Sequence, residues 1–172
     1  MDILSTARLR LRTARPGDGA FYLALLNDPG FIAHIGDRGV RTLEEANQSL
    51  LDGPIAMQQA RGHSLYVVEL RADGTPIGMC GLIKRASLDG VDIGYAYLAA
   101  HCGQGYAREA GQAVLAYAAT LGLARVLAIT SPENVASNRL LLKLGMRLQG
   151  IVLLAPDDAG TNLYGIDLER GA

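Results

Sequence analysis

Tyr95-Ala96-Tyr97-Leu98-Ala99-Ala100-His101-Cys102-Gly103-Gln104-Gly105-Tyr106-Ala107-Arg108-Glu109 is the stretch on which the fold turns. A strand-forming run ends, two glycines follow at alternate positions, and a helical pattern begins at once. The first amides of a helix have no internal partners, and the aligned peptide dipoles add partial positive charge beside them. Such a place suits a phosphate, and main-chain donors let a chain of formal net charge −1 hold a polyanion. Ala107, Ala110, Gly111, Val114, Ala118 and Leu121 then recur at helical spacing, small enough for close packing on a sheet, and Gly122 ends the run.

Upstream, Leu9, Leu11 and Thr13 alternate with Arg8, Arg10 and Arg12, the pattern of a half-exposed strand. Pro16-Gly17-Asp18 turns into a short helix over 19–27, which Pro29 is expected to stop, leaving 31–40 as a Gly-rich loop. Thr42 and Glu45 form a capping box opening a helix that is interrupted at Gly53-Pro54 and resumes to Arg61. Strands at 64–70 and 76–83 are joined by the hairpin turn Ala72-Asp73-Gly74-Thr75, and 91–98 is a third. Downstream, 125–130 reads as a buried strand. Asn134 caps a helix over 135–144 that Gly145 closes. Strands at 151–154 and 162–168 flank the polar tip Asp157-Asp158-Ala159-Gly160. This order predicts an α/β (α+β) fold with a mixed, mostly antiparallel central sheet of about six to seven strands and about four flanking helices.

The bulk properties agree with one domain over residues 1–172: apolar residues make up 49%, and no linker, repeat or charge block divides the chain. Balanced charge points to neither nucleic acid nor a membrane surface as partner. Cys80 and Cys102 make neither a disulfide framework nor a metal set, and read as reduced thiols of a cytoplasmic protein. Met1-Asp2-Ile3-Leu4 lacks the basic and apolar segments of a signal peptide, and the apolar stretch 110–124 is too short to span a bilayer. The expected assembly is a monomer or a homodimer.

Several phosphate-binding loops are conceivable. A P-loop needs a longer glycine spacing and a lysine. The dinucleotide fingerprint fits Gly103-Gln104-Gly105 but meets Arg108 where glycine is required, and no acidic residue follows at 123–129. The stretch Cys102-Gly103-Gln104-Gly105-Tyr106-Ala107 closely resembles the Gln/Arg-x-x-Gly-x-Gly/Ala loop of the Gcn5-related N-acetyltransferase (GNAT) superfamily, with Cys102 in place of Gln or Arg. Asp92-Ile93-Gly94-Tyr95 resembles the branch that includes ribosomal-protein N-terminal acetyltransferases of the RimJ/RimL type. So does Asn134-Val135-Ala136-Ser137-Asn138 followed by Lys143-Leu144-Gly145-Met146. The likeness runs from Arg8 to Leu168.

The resemblance implies a GNAT fold with splayed central strands and an acetyl-CoA-dependent N-acetyltransferase. The backbone of Ala96, Tyr97 and Leu98 would pair with the pantetheine arm. Gly103, Gln104, Gly105, Tyr106, Ala107 and Arg108 would hold the pyrophosphate. Asn134 and Asn138 would reach the cofactor from the last helix, with Arg139 and Lys143 as candidates for an outer phosphate. The acceptor would be a primary amine on a peptide N-terminus or a small molecule. Many relatives use a tyrosine at the position of Leu141 to protonate the leaving thiolate; here Ser137 is the candidate acid and Asp92 the candidate base. A helix-capping or cofactor-packing hydroxyl for Ser137, and structural pairing with an arginine for Asp92, are the alternative readings. The departure at Leu141 also keeps open a coenzyme-A-binding module with little catalysis, and a nucleotide-binding α/β protein is a third reading. Tyr95, Tyr106 and Tyr164 read as packing residues with satisfied hydroxyls, and Glu109 as structural. Acidic residues at Asp37, Asp157 and Asp158 fit a cationic acceptor and fit solvated loop charge equally well.

Overall fold

The structure, a computed structural model, describes residues 1–169. Its strands in chain order are β1 (Asp2–Ser5), β2 (Leu9–Thr13), β3 (Leu65–Leu70), β4 (Pro76–Lys84), β5 (Val91–Tyr97), β6 (Arg125–Thr130), β7 (Arg147–Val152) and β8 (Thr161–Asp167). The helices are α1 (Gly19–Leu26), α2 (Pro29–His34), α3 (Leu43–Leu50), α4 (Ala56–Arg61), α5 (Tyr106–Thr120) and α6 (Val135–Lys143). One sheet takes the order β1-β2-β3-β4-β5-β6-β8-β7, antiparallel everywhere except between β5 and β6. The mixed architecture expected from the sequence is present, with one strand and one helix more than its elements suggested.

The additional helix is α2. Pro29 does not merely stop α1; it starts the next helix at a first-turn position where its missing N–H costs nothing, with Asp28 accepting from the Gly30 amide as cap. The interruption at Gly53-Pro54 is a single π-helical turn over Leu51–Ile55, so α3 and α4 form one kinked body. The Thr42–Glu45 capping box forms in both directions.

Strand alternation sorts the apolar side chains onto two faces. Leu9, Leu11, Tyr66, Val68, Cys80, Leu82 and Ile93 meet Ala110, Val114 and Ala118 of α5 in the larger core. Val67 and Met79 point the other way, onto Leu25 of α1. Gly111 lets α5 lie close to the segment after α6: a Cβ there would sit 2.9 Å from Leu144. The arginines of β2 are not all solvated. Arg12 is buried and its guanidinium donates to Asp18 at 2.8 and 2.7 Å and to Glu69 at 2.6 Å, while Arg10 takes the other Glu69 oxygen.

Between β5 and β6 the register holds one pair, Asp92 with Leu127, and beyond it the two strands part. The sheet is therefore split at its centre, toward the end where β5 delivers the chain into the glycine loop.

Candidate functional site

The split opens into a cleft of about 1130 Å³ walled by β5, the glycine loop, the start of α6 and the α2 region. Gly103 and Gly105 both adopt positive φ, 74° and 83°, so each position needs a residue without a Cβ. Gly105 is the N-cap of α5 and no side chain caps that helix. Among the described residues the amides of Gly103, Gln104, Gly105, Tyr106, Ala107 and Arg108 find no acceptor. Six main-chain donors are thus left for an external oxyanion.

An acid in the first turn would repel such a ligand, yet Glu109 is turned away. It accepts from Thr6 Oγ1 (2.6 Å), the Arg8 amide (2.9 Å) and Arg8 Nε (2.7 Å). Burial pushes its carboxyl up, but these bonds outweigh burial and hold it below its ordinary value. Arg8 also donates to the Gln104 carbonyl at 3.0 Å and lies 4.5 Å over the Tyr106 ring. It supports the loop from the β1–β2 turn. No sequence signal could have placed it there, because its partners lie 96 and 101 residues away.

The cleft brings together Ala96, Tyr97, Gly103, Gly105, Ala107, Arg108, Asn134, Asp92 and Ser137, with Arg139 and Lys143 at its rim. Leu98, Gln104, Tyr106 and Asn138, also expected as cofactor contacts, do not line it. Leu98 packs onto the α1 face, and its amide is spent on the Ile77 carbonyl of β4. Antiparallel alternation then commits Ala96 to β4 as well and turns the main-chain groups of Tyr95 and Tyr97 toward the split. Gln104 and Tyr106 can offer their amides only: the Gln104 side chain donates to Ala100, and the Tyr106 ring lies under Arg8. Asn138 is saturated. Its amide donates to Ser131 and Asn134 carbonyls and accepts from Asn162 and Tyr164, which locks α6 to the turn after β6 and to β8. Those four bonds give it a structural role, whereas Asn134, the other amide expected at the cofactor, caps Ser137 through Oδ1 and keeps its NH2 free among the described residues.

Ser137 sits on the first turn of α6 with its Oγ 2.7 Å from the hydroxyl of Tyr95, across the cleft on β5. Burial pushes the Tyr95 phenol up to about 12 against the opposing effect of that hydrogen bond. Tyr95, read from sequence as packing, is thus the partner of the candidate acid. Leu141, standing where many relatives have a tyrosine, is fully buried in the core.

Asp92 is fully buried, and both its oxygens accept from Arg85 Nε at 3.1 and 3.0 Å. Burial raises its carboxyl and Arg85 pulls it back, with a net rise. Of the two roles read for Asp92, this is the structural pairing with an arginine, and it leaves neither oxygen free to act as a base. Two of the three acidic residues thought to face the acceptor are likewise occupied: Asp37 pairs with Arg41, and Asp158 caps the Leu154 and Gly160 amides of its own turn. Asp28 joins two walls of the cleft, accepting from Gly30 in α2 and from Ala99 before the loop at 3.0 Å.

Known proteins place this geometry. N-acetyltransferase YoaA of Bacillus subtilis (strain 168), itself uncharacterized, is 30% identical over 170 residues, covering 95% of this chain and 96% of its own. The structure of a GNAT-family acetyltransferase from Bacillus anthracis superposes with a TM-score of 0.79 at 25% identity, over 97% of this chain and 98% of that one. RimL, a ribosomal L7/L12 α-N-protein acetyltransferase solved with coenzyme A, shares the fold at TM-score 0.84 and 22% identity, over 99% and 100% of the two chains. The acetyltransferase (GNAT) domain family matches residues 8–147, from the arginine that braces the loop to the start of β7. With the split sheet and the open helix start in the places that family requires, this chain belongs to the GNAT acetyltransferases and is an acyltransferase.

Proposed function

We propose that the chain, as one N-acetyltransferase domain over residues 1–172, moves the acetyl group of acetyl-CoA to a primary amine by direct attack in the β5–β6 cleft. The observation that carries this is the set of six unpaired amides at the mouth of a cleft whose inner wall holds a paired serine and tyrosine. The amides of Gly103 to Arg108 hold the pyrophosphate, and the exposed edge at Tyr95 and Tyr97 accepts the pantetheine as an added strand. The Tyr97 amide, facing the split, is the donor for the oxyanion that forms on attack. Ser137 then gives a proton to the departing thiolate, the proton shed by the newly acylated nitrogen passes to water and restores the serine, and Tyr95, a positioning residue, fixes the serine hydroxyl. The two unpaired cysteines, buried Cys80 and exposed Cys102, support a reducing, cytoplasmic setting. No helix among the described residues is long and apolar enough to cross a membrane.

Release of CoA thiol from acetyl-CoA with a panel of amines tests the reading. Ser137→Ala lowers kcat by about 100-fold and Tyr95→Phe by about tenfold, within the usual range for one proton-transfer group. The double variant is no worse than Ser137→Ala, because the two hydroxyls act as a unit. KM for acetyl-CoA moves little. Tight CoA binding by the wild type with no turnover on any amine would instead identify a binding module.

The acid should not run out at high pH. With Tyr95 held near 12, the Tyr95–Ser137 pair stays protonated through the neutral and mildly alkaline range. The kcat profile therefore rises as the amine deprotonates and stays flat to about pH 10. An alkaline fall centred near pH 8 would assign the acid to another group.

A further inference from the structure

Beside the cofactor cleft lies a second cavity of about 480 Å³, roofed by α1, α2 and the α3–α4 body. The two cavities share Gly94, Tyr95 and Ala96 on β5, so they meet at the point where the proposed reaction brings acceptor and thioester together. The walls are mostly apolar: Leu25, Leu26, Phe31, Met57 and Met79. Its charged lining residues are Arg38 and Arg85, both cations, and both lie at the junction because both also line the cleft.

Both arginines keep N–H donors free where they face the cavity, although the charge of Arg85 is paired with Asp92. Arg85 is held through Nε alone by the buried Asp92, and its two terminal nitrogens have no acceptor among the described residues, in a side chain 34% exposed. That is a guanidinium with one edge anchored and the remainder offered. Arg38 has no acceptor among the described residues at all. One unpaired cation, Arg38, and one anchored guanidinium with free donors, beside an apolar cavity that no acid lines, favour an anionic group over a cationic one. They also disfavour the protonated form of an amine bound between them, which helps the attack.

We infer that the acceptor is an amino acid: a small amine with a carboxylate next to its nitrogen and an apolar side chain. The carboxylate is bound by Arg38 and Arg85, and the side chain fills the cavity. A carboxylate several bonds from the amine would not reach arginines at the junction, so a peptide N-terminus satisfies the site poorly. The inference deepens the proposed acetyl transfer and rests on it.

The test compares leucine, methionine and phenylalanine with their carboxamides, with 3-methylbutylamine, and with a tripeptide beginning in leucine. Acetyl-CoA is the donor and released thiol the readout. The free amino acids should exceed their amides in kcat/KM by about 100-fold, the scale of two charge-assisted hydrogen bonds. Arg38→Gln should reduce that ratio at least tenfold. Arg85→Lys, which keeps a cation for Asp92 but loses the fork, should reduce it as well. Amides, 3-methylbutylamine or the tripeptide serving as well as the free acids would overturn the inference and leave acetyl transfer standing. No thiol release with any of these amines would fail the acetyl-transfer reading, and the acceptor with it.

Discussion

Replacing Gly105 by valine raises the dissociation constant for CoA, measured by titration calorimetry, by about 100-fold. Gly105 has φ of 83°, a conformation that a β-branched residue adopts only under strain of about 1–3 kcal/mol. The turn relieves that strain by rotating, and the unpaired amides of Gly105, Tyr106 and Ala107 rotate with it. Each hydrogen bond to a charged group is worth about 1.5–3 kcal/mol, so losing one and straining another accounts for the hundredfold. The added side chain also meets Arg8, whose Nη2 lies 3.4 Å from an ideal Cβ. Gly103, at φ 74° with open space around it, should be milder as alanine. Unchanged affinity in Gly105→Val would show that the diphosphate is held elsewhere.

Arg12→Met destabilises the fold by about 3–5 kcal/mol, read from chemical unfolding at neutral pH. Arg12, Asp18 and Glu69 have side chains 5%, 6% and 4% exposed, so removing the cation strands two carboxylates away from water. Glu69 keeps Arg10, and Asp18 keeps only the Arg15 amide and a 3.8 Å approach of the Arg15 side chain. Most of the penalty therefore falls on Asp18, and Arg12→Met combined with Asp18→Asn recovers a large part of it. The same pair gives acid sensitivity. Burial alone would raise the Asp18 carboxyl, but the Arg12 and Arg15 hydrogen bonds hold it below its ordinary value. Its contribution is complete above the unfolded carboxylate range and is lost as pH falls through the depressed folded value. A loss under 1 kcal/mol for Arg12→Met would mean that the interior takes in water at this site.

The strands and helices with strong internal pattern were legible in the sequence. The hairpin around Asp73-Gly74, the capping box at Thr42 and the glycine turn before α5 each carry their reason within a few residues. The four residues of β1 are too few to show alternation, and they form a strand because β2 offers an edge. Likewise β7 begins at Arg147 rather than 151, its largely exposed side chains leaving no apolar pattern to mark its start. At the site, the loop could be read because its donors are main-chain groups and need only glycines in the right order. Side-chain roles were harder, since they depend on partners distant in the chain. Asn138 looked like a ligand-binding amide until Asn162 and Tyr164 filled it. For Asp92 the sequence allowed either a base or an arginine partner, and only the fold shows Arg85, seven positions earlier, holding both its oxygens.

The single β5–β6 register pair has a consequence for how the native state breathes. Amides at the geometric middle of a sheet ordinarily exchange with solvent deuterium most slowly, since opening them requires global unfolding. Here those of Tyr95 and Tyr97 look into a gap, so the centre of the molecule contains fast exchangers while the flanking hairpins are protected. A strand-like occupant of that gap would finish the ladder and knit the halves into one cooperative unit, and the melting temperature should climb with its concentration.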